Sequence, residues 1–266
     1  MSDGVTMRER DCSVVDQHLL TADYRILRIK AGCVARDARP GQFVHVRIPG
    51  LDAMALRRPF SIYKADNGVL EIVYKVVGKG TKQLANLLAG DNVNVIGPLG
   101  NGFPCNLPKS CIPVLVAGGY GVAPLSFLAR RLPARGILLA GGRSAHDLLC
   151  LADFSALNWD VRVSTEDGSM GITGRVTALL DEVLKERAAG SVELFACGPD
   201  GMLRAVGVIA GKAGCRAWLS LDKHMACGVG ACLTCVQKLR RPDGSVWTGR
   251  VCRDGPVFEA AEIVWD

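Results

Sequence analysis

The order of apolar and polar residues divides the chain into two regions of different periodicity. Up to about residue 105, short segments that alternate or run apolar are rich in β-branched and aromatic residues, and Gly and Pro separate them, which predicts β-strands. These segments are YRILRIKA, QFVHVRIP, FSIYKA and LEIVYKVV, with one predicted helix in TKQLANLL. Several antiparallel strands at this spacing predict a small β-barrel.

Beyond about residue 110, apolar strands alternate with amphipathic helices. The strands are CIPVLVAGGYG, GILLAGG, WDVRVST and SVELFACG, and the helices are VAPLSFLARRL, GRVTALLDEVLKERAAG and PDGMLRAVGVIAGKAG. This alternation predicts a parallel sheet with crossover helices. The expected fold class is α/β plus all-β, with an antiparallel barrel in residues 1–108, a parallel-sheet domain in 109–217 and a small C-terminal domain in 218–266. The polar residues at the N-terminus receive no assignment.

Composition and charge exclude several classes of protein. The net charge of +6 is mild and the 266-residue chain has no long basic run, which argues against nucleic-acid binding. The N-terminus lacks a signal-peptide pattern, and no apolar run approaches the roughly 20 residues of a membrane helix. We therefore expect a cytoplasmic protein that binds neither nucleic acid nor membrane. The mild positive charge suits anionic cofactors or an acidic partner equally.

Four of the eleven cysteines are clustered near the C-terminus. They are spaced C-x4-C-x2-C-x16-C and are Cys227, Cys232, Cys235 and Cys252. In a reducing compartment, clustered cysteines indicate metal binding or catalysis rather than disulfides. The first three match the spacing of plant-type [2Fe–2S] ferredoxins. Gly228 and Gly230 permit tight turns with positive φ that aim backbone amides at the sulfurs.

A structural zinc site is the main alternative, since zinc also takes four thiolates. Zinc sites usually present two short C-x2–4-C pairs, whereas Cys252 stands alone, so the spacing favours an iron–sulfur cluster. The other seven cysteines are scattered and are interpreted as small buried apolar side chains. The four histidines, His18, His45, His146 and His224, show no metal spacing with one another and are interpreted as structural residues.

The motif RRPFSIY carries groups that suit a flavin nucleotide. Arg58 can form bidentate bonds to a pyrophosphate, Pro59 fixes the turn, and Ser61 offers a hydroxyl. Phe60 or Tyr63 can pack near a ring system.

A second anion-binding element follows in KVVGKGT. Gly80 and Thr81 stand just before the predicted helix TKQLANLL, and a helix N-terminus binds anions. Two such elements from one barrel fit a dinucleotide such as FAD, although capping alone would also explain Thr81.

Two glycine-containing segments follow buried strands of the second region. VLVAGGYGVAPL resembles a strand–glycine loop–helix phosphate site, with Gly118, Gly119 and Gly121, but it is not the strict G-x-G-x-x-G. FACGPDGML ends a buried strand at Cys197. Because ligands bind at the carboxyl ends of parallel strands, Cys197 is expected to face the cleft. A buried structural cysteine explains this motif equally well.

The three groups of motifs occur in a characteristic order: RRPFSIY with GKGT, AGGYGVAPL with ACGPDGML, and ACGVGACLTC with GRVCRDGPVF. Over nearly the whole chain, this order resembles the electron-transfer subunit of the NAD-dependent (class 1B) dihydroorotate dehydrogenases, within the ferredoxin reductase-like superfamily. Tyr120 departs from the family pattern, in which an aliphatic residue is expected.

The resemblance implies an oxidoreductase subunit of pyrimidine biosynthesis. An FMN-containing catalytic partner oxidises dihydroorotate, and electrons pass through a [2Fe–2S] cluster and FAD to NAD+, with NAD rather than NADP as co-substrate. A heterotetramer with two copies of each subunit is expected. No catalytic acid or base is implied, because the cofactors supply the chemistry.

The resemblance also implies site residues. The FAD residues are Arg58, Pro59, Phe60, Ser61, Val73, Tyr74, Lys75, Gly80 and Thr81. The cluster ligands are Cys227, Cys232, Cys235 and Cys252, and the nicotinamide residues are Gly118, Gly119 and Cys197.

Two other functions stay open at this point. Similar chains serve as NAD(P)H-linked diaphorase subunits of soluble hydrogenases or sulfite reductases. A zinc-stabilised interaction protein with a degenerate nucleotide fold is the alternative of another class, and iron content would separate it from the others.

Overall fold

The first region of the protein is a closed antiparallel barrel. The computed structural model describes residues 7–51, 56–108, 110–187 and 190–265. The six barrel strands are β1 (Arg8–Leu19), β2 (Tyr24–Lys30), β3 (Phe43–Arg47), β4 (Arg58–Asp66), β5 (Val69–Lys75) and β6 (Asn92–Leu99), and two short helices, α1 (Cys33–Arg36) and α2 (Lys79–Leu84), connect them. The strand order β1-β2-β5-β4-β3-β6 closes on itself, which confirms the predicted barrel.

The strand β1 comes from the polar segment that the sequence analysis left unassigned. It pairs with β2 on one side and with β6 on the other, so it closes the barrel. Only Cys12 and Val14 of this strand are fully buried, whereas its other side chains are exposed or half-buried. A strand with so few buried positions has no clear apolar alternation, because most of its outer face contacts water. Residues 1–6 of that segment lie outside the described residues.

The second region supplies six strands of a seven-stranded sheet, with helices between these strands, and the seventh strand comes from the C-terminal segment. The strands are β7 (Ile112–Gly118), β8 (Ile137–Gly142), β9 (Asp160–Thr165), β10 (Ile172–Thr173), β11 (Val192–Cys197) and β12 (Arg216–Ser220), and the helices are α3 (Val122–Arg131), α4 (Leu151–Ala156), α5 (Val176–Lys185) and α6 (Asp200–Ala213). These six strands pair in parallel in the order β10-β9-β8-β7-β11-β12. The predicted parallel sheet with crossover helices is confirmed.

The C-terminal segment packs against both regions. It contains the hairpin β13 (Val236–Arg240) and β14 (Val246–Arg250), then α7 (Val251–Asp254) and β15 (Val257–Glu259). The strand β15 pairs antiparallel with β12. The strand β12 itself spans residue 217, at which the α/β domain was predicted to end. Asn101, after the barrel, donates its side-chain amide to the carbonyl of Asp254 (2.9 Å). The segment is therefore tied to the sheet through β15 and to the barrel through Asn101.

One hydrophobic core runs through these contacts. Phe43 and Leu99 of the barrel belong to the same buried cluster as Leu194 of the sheet and Cys235 and Phe258 of the C-terminal segment. Burial of apolar surface stabilises by about 25 cal/mol per Å², so this shared core fixes the three parts against one another. Among the helices of the described residues, none has the length and apolar character that a membrane span requires.

Candidate functional site

The four clustered cysteines lie together as two pairs. The Sγ atoms of Cys227 and Cys232 are 3.3 Å apart, and the backbone N–H of Cys232 donates to Cys227 Sγ (3.4 Å). The backbone N–H of Cys252 donates to Cys235 Sγ, also at 3.4 Å. Cys235 and Cys252 are buried, whereas Cys227 and Cys232 are partly exposed. The C-x16-C separation is thus closed by the hairpin β13–β14, which brings Cys252 back to Cys235.

The thiols influence one another electrostatically. Hydrogen bonds with Thr234 and with Cys227 lower the pKa of Cys232 to about 6. Burial raises the pKa of Cys252, and the charges of Cys235 and Cys227 raise it further. Thiolates that repel one another in this way are stabilised by bound metal ions, which deprotonate coordinating thiols.

The donor set fits a two-iron cluster better than a single zinc ion. A [2Fe–2S] cluster is held by four cysteine thiolates that divide between its two irons, whereas a structural zinc site needs four ligands around one ion. The arrangement in two pairs therefore has the form that a cluster requires.

Two glycines shape this loop, as predicted. Gly228 and Gly230 have φ of +69° and +83°, which confirms the expected positive-φ turns. A Cβ at Gly230 would lie 2.5 Å from Cδ of Arg253. Arg250 donates to the Gly230 carbonyl (2.9 Å) and forms an ion pair with Asp254 (3.1 Å). The loop is thereby held against α7, which carries Cys252.

The cysteine loop touches the barrel at His45. A Cβ on Gly228 would lie 2.5 Å from Nδ1 of His45, so the loop passes directly over the imidazole. His45 is fully buried, and its backbone on β3 lies opposite Pro59 of the RRPFSIY motif. Burial lowers the pKa of His45 to about 4, so the ring is neutral at pH 7. The cysteine loop therefore lies over a barrel strand that pairs with the strand of the candidate flavin motif.

The structure brings the two predicted anion-binding elements of the barrel together. A Cβ at Gly80 would lie 3.5 Å from Nε of Arg58, so the guanidinium is beside the first turn of α2. Nη1 of Arg58 donates to the carbonyls of Leu56 (2.7 Å) and Arg57 (3.2 Å), and the N–H groups of its Nε and Nη2 can face a ligand. The hydroxyl of Thr81 accepts the N–H groups of Val77 and Gly78 (2.9 and 3.1 Å), which is the capping role considered for it.

The other predicted flavin residues divide between the two faces of the barrel wall. Tyr74 points into the barrel, where its hydroxyl donates to Gln17 (2.8 Å) and its ring meets Phe60 edge-on at 6.0 Å between centroids. Val73 lies on the opposite face and packs with the sheet region. Ser61 pairs with Phe43 of β3 and is half-buried.

Tyr63 has a role that the sequence did not indicate. Its hydroxyl donates to the carboxylate of Asp153 in α4, which also forms ion pairs with Lys64 (3.1 Å) and Arg130 (3.5 Å). Burial acts to raise the pKa of Asp153, but the hydrogen bond from Tyr63 and the charge and hydrogen bond of Lys64 bring it below its usual range. This cluster links the barrel to α3 and α4 instead of leaving Tyr63 free to stack on a ring system.

A cavity of about 540 Å³ lies where the carboxyl ends of the parallel strands face the barrel. Its lining combines glycine backbone with cationic and anionic side chains. The lining residues include Tyr24, Lys75, Gly118, Gly119, Tyr120, Gly142, Arg143, Glu166, Arg175, Pro199 and Met202. A concave site with several cations at this edge of a parallel sheet fits a phosphate-bearing nucleotide.

The glycines of this site permit a close approach of two strand ends. A Cβ at Gly118 would lie 2.8 Å from Cδ of Pro199, and one at Gly121 would collide with the carbonyl of Cys197. Gly119 has φ of +53°. Cys197 is buried at the end of β11, where burial raises its pKa, and the cavity wall next to it comes from Pro199 and Met202.

Several residues of this cavity were not predicted from the sequence. Arg143 and Glu166 directly follow β8 and β9, and Arg175 precedes α5, so the rule that ligands bind at carboxyl ends of parallel strands would have found the first two. Tyr120, the departure from the family pattern, lines the cavity and donates its hydroxyl to Asp222 (3.2 Å). Burial raises the pKa of Asp222.

Comparison with known proteins places these sites in a family. Residues 11–103 match the model of the oxidoreductase FAD-binding domain, and residues 222–264 match that of the iron–sulfur cluster binding domain of dihydroorotate dehydrogenase B. These matches confirm the predicted cofactors, FAD and an iron–sulfur cluster.

Whole-chain relatives agree with the domain matches. The electron transfer subunit of dihydroorotate dehydrogenase B (NAD(+)) from Desulforamulus reducens is 36% identical, covering 96% of this chain and 98% of that protein. The subunit of the same name from Bacillus caldolyticus is 40% identical, covering 97% of this chain and 98% of that protein.

Solved structures extend the similarity to the fold. An NADH-dependent reduced ferredoxin-NADP oxidoreductase superposes with a TM-score of 0.81 at 29% identity, covering 96% of this chain and 90% of that chain. The ferredoxin reductase of carbazole 1,9a-dioxygenase has a TM-score of 0.66 at 20% identity, covering 79% and 67%, which shows the fold alone. The resemblance seen in the motifs is confirmed, and the chain belongs to the family of electron transfer subunits of dihydroorotate dehydrogenase B.

Proposed function

We propose that this protein passes electrons from a dihydroorotate-oxidising partner through a [2Fe–2S] cluster and FAD to NAD+. The observation that carries the proposal is the contact between the loop of paired cysteines and the barrel strand that lies opposite the RRPFSIY motif. FAD exchanges single electrons with an iron–sulfur cluster and an electron pair with NAD+, so it has to lie between them. The polypeptide contributes by holding the two cofactor sites next to each other in one shared core.

The residues of the barrel are proposed to bind FAD as follows. Arg58, beside Gly80 at the start of α2, takes the pyrophosphate, because a guanidinium and free backbone amides suit that group. Ser61 offers its hydroxyl, while Thr81 holds the turn that presents the amides. The further proposed FAD residues are Pro59, Phe60, Val73, Tyr74 and Lys75.

The cluster and nucleotide sites complete the proposed path. The cluster ligands are the two cysteine pairs, Cys227 with Cys232 and Cys235 with Cys252. NAD+ binds in the cavity at the strand ends, with Gly118 and Gly119 allowing close approach of its phosphates and Cys197 behind them. We accordingly assign FAD to a domain of residues 1–108, NAD+ to 109–217 and the cluster to 218–266.

The partner is proposed to dock on the exposed side of the cysteine loop. Cys235 and Cys252 are buried, whereas Cys232 is partly exposed and the neighbouring Leu233 is 74% exposed. Electrons enter most readily where the least polypeptide separates the cluster from its donor. The partner is an FMN-containing catalytic subunit, and the complex is a cytoplasmic heterotetramer with two copies of each subunit.

The test uses the protein purified with its native partner. Without oxygen, dihydroorotate and NAD+ are added and NADH is followed by absorbance, and NADH formation is expected to require dihydroorotate. A complex that still passes electrons from NADH to a dye, yet forms no NADH from dihydroorotate, would reassign the chain to another catalytic partner, as in a diaphorase. Stoichiometric zinc without iron would contradict both functions.

A further inference from the structure

The side chain of Thr234 contacts the sulfur of a proposed cluster ligand. Its Oγ1 lies 3.4 Å from Sγ of Cys232, which is a hydrogen-bond distance for sulfur. The backbone of Thr234 is hydrogen-bonded to the same sulfur. Two polar groups of one residue thus converge on Cys232, because the turn places Thr234 beside the cysteine that precedes it by two positions.

The hydroxyl adds to a pattern that the two cysteine pairs share. In each pair, one backbone N–H donates to the sulfur of the other cysteine at 3.4 Å, from Cys232 to Cys227 and from Cys252 to Cys235. In the partly exposed pair, Thr234 contributes its hydroxyl beside these backbone groups. The sulfur of Cys232 therefore has a side-chain neighbour that can donate, in addition to the backbone.

The direction of this hydrogen bond follows from the chemistry of the ligand. A cysteine that ligates a metal is a thiolate, so its sulfur has no hydrogen to donate and can only accept. The hydroxyl of Thr234 has one O–H group, which rotates to suit its partner. With a cluster bound, Thr234 is therefore the donor and Cys232 Sγ is the acceptor.

Thr234 lies on the exposed side of the cysteine loop. Its side chain is exposed beside Leu233, which is 74% exposed, whereas Cys235 on its other side is buried. An exposed hydroxyl contributes nothing to the hydrophobic core, so its removal should leave the fold of the loop unchanged. The contact with Cys232 is thus the interaction that a substitution of Thr234 reports.

We propose that Thr234 is a positioning residue that donates its hydroxyl to Cys232 Sγ and thereby raises the reduction potential of the iron–sulfur cluster. The inference rests on the proposed function, because it requires the cluster. Reduction adds one electron and no proton, so the negative charge on the sulfurs increases. A hydrogen bond to a sulfur stabilises that charge, which is one way in which proteins set cluster potentials. Thr234 thus makes the cluster a better acceptor for electrons from the partner.

Three substitutions separate the hydroxyl from the rest of the side chain. Thr234→Val replaces the hydroxyl by a methyl group and keeps the β-branched shape, whereas Thr234→Ser keeps the hydroxyl. Thr248→Val makes the same chemical change at an exposed position of β14, outside the cysteine loop. The full complex of each variant is titrated electrochemically, and the EPR signal of the reduced cluster gives its potential. The flavin potential is read from absorbance in the same titration.

The expected result is a selective change at the cluster. Thr234→Val should lower the equilibrium constant for cluster reduction about tenfold, which is 59 mV for one electron. Thr234→Ser and Thr248→Val should leave this constant within about twofold of its value in the unaltered protein. An unchanged cluster potential in Thr234→Val, or a shift confined to the flavin, would overturn the inference while leaving the proposed function intact.

A fourth variant and a vibrational measurement cover the case in which Thr234→Val does not assemble its cluster. Thr234→Ala also lacks the hydroxyl, and it should show the same lowered potential together with a raised Fe–Sγ stretching frequency in the resonance Raman spectrum, because a hydrogen bond to the sulfur weakens that bond. An unchanged frequency would overturn the inference. Cluster loss in both variants, with a full cluster in Thr234→Ser, would assign the hydroxyl to cluster assembly and overturn it as well. No [2Fe–2S] signal in the unaltered protein would contradict the proposed function itself.

Discussion

The cysteine loop and the nucleotide cavity are two sites built on opposite principles. The loop draws all four thiols from residues 227–252, and residues 226–235 form bends and turns. The cavity collects single residues from the barrel and from the ends of several strands, and much of its wall is glycine backbone. One site is defined by side-chain chemistry and the other by the shape of the fold.

This difference determines how each site can fail. A cluster needs soft thiolates, so the loss of one ligand removes the group that the loop exists to hold. A nucleotide cavity has many weak contacts, so a single change alters affinity or selectivity by degrees. A substitution in the flavin motif is expected to have an intermediate effect, because the motif combines one strong ionic partner of the flavin phosphates with several weaker contacts from the barrel wall.

The largest effect is expected from a cluster ligand. Cys232→Ser should abolish the cluster, because serine is a poor substitute for a thiolate toward iron. Iron and acid-labile sulfide per chain should fall close to zero while flavin is retained. The matched control is Cys215→Ser, since Cys215 is half-buried and its Sγ lies 3.7 Å from the Ala213 carbonyl, away from the loop. A full iron complement in Cys232→Ser would refute the ligand assignment.

Removal of the flavin's ionic partner should have the next largest effect. Arg58→Ala should weaken FAD binding about 10- to 100-fold, because hydrogen bonds to charged groups contribute about 1.5–3 kcal/mol. Flavin retained after dialysis measures the change. Arg36→Ala is the control, since Arg36 is largely exposed near Asp37. Equal flavin retention in both variants would show that Arg58 does not hold the phosphates.

The difference between the sites also explains what the sequence could predict. The approach of the four cysteines to one another was predictable because cysteine at this spacing has few other uses, and most strands and helices followed from their periodicity. The strand β1 was missed because only Cys12 and Val14 of it are fully buried. The contact of His45 with the cysteine loop could not be predicted, because it arises only when the fold brings Gly228 over the ring. Contacts between distant segments leave no local spacing, so pattern analysis cannot find them.

A shape-defined site should respond to an added methyl group. Gly121→Ala should lower the free energy of unfolding by about 1–3 kcal/mol, because its Cβ would collide with the Cys197 carbonyl and force the strand ends apart. Urea unfolding measures the change, and NADH affinity should fall with it. Gly211→Ala is the control, since no atom lies within 4 Å of its Cβ and alanine favours the helix α6. Equal stability of the two variants would mean that the close approach is not rigid.

The smallest effect is expected from a single charge at the cavity. Glu166 lines the cavity next to the end of β9, where its carboxylate can accept hydrogen bonds from ribose hydroxyls and repel an additional phosphate. Glu166→Gln should therefore lower kcat/KM for NADH and raise it for NADPH, each by about fivefold, since unit charges 4 Å apart in water interact by about 1 kcal/mol. Dye reduction with each nucleotide measures the ratio. Glu186→Gln, which removes a charge paired with Arg162 on the exposed side of α5, should leave that ratio unchanged. If kcat/KM changed in the same direction and by the same factor for NADH and NADPH, Glu166 would contribute to the shape of the cavity and not to its selectivity. Backbone geometry would then determine nucleotide binding here more than the charge of Glu166.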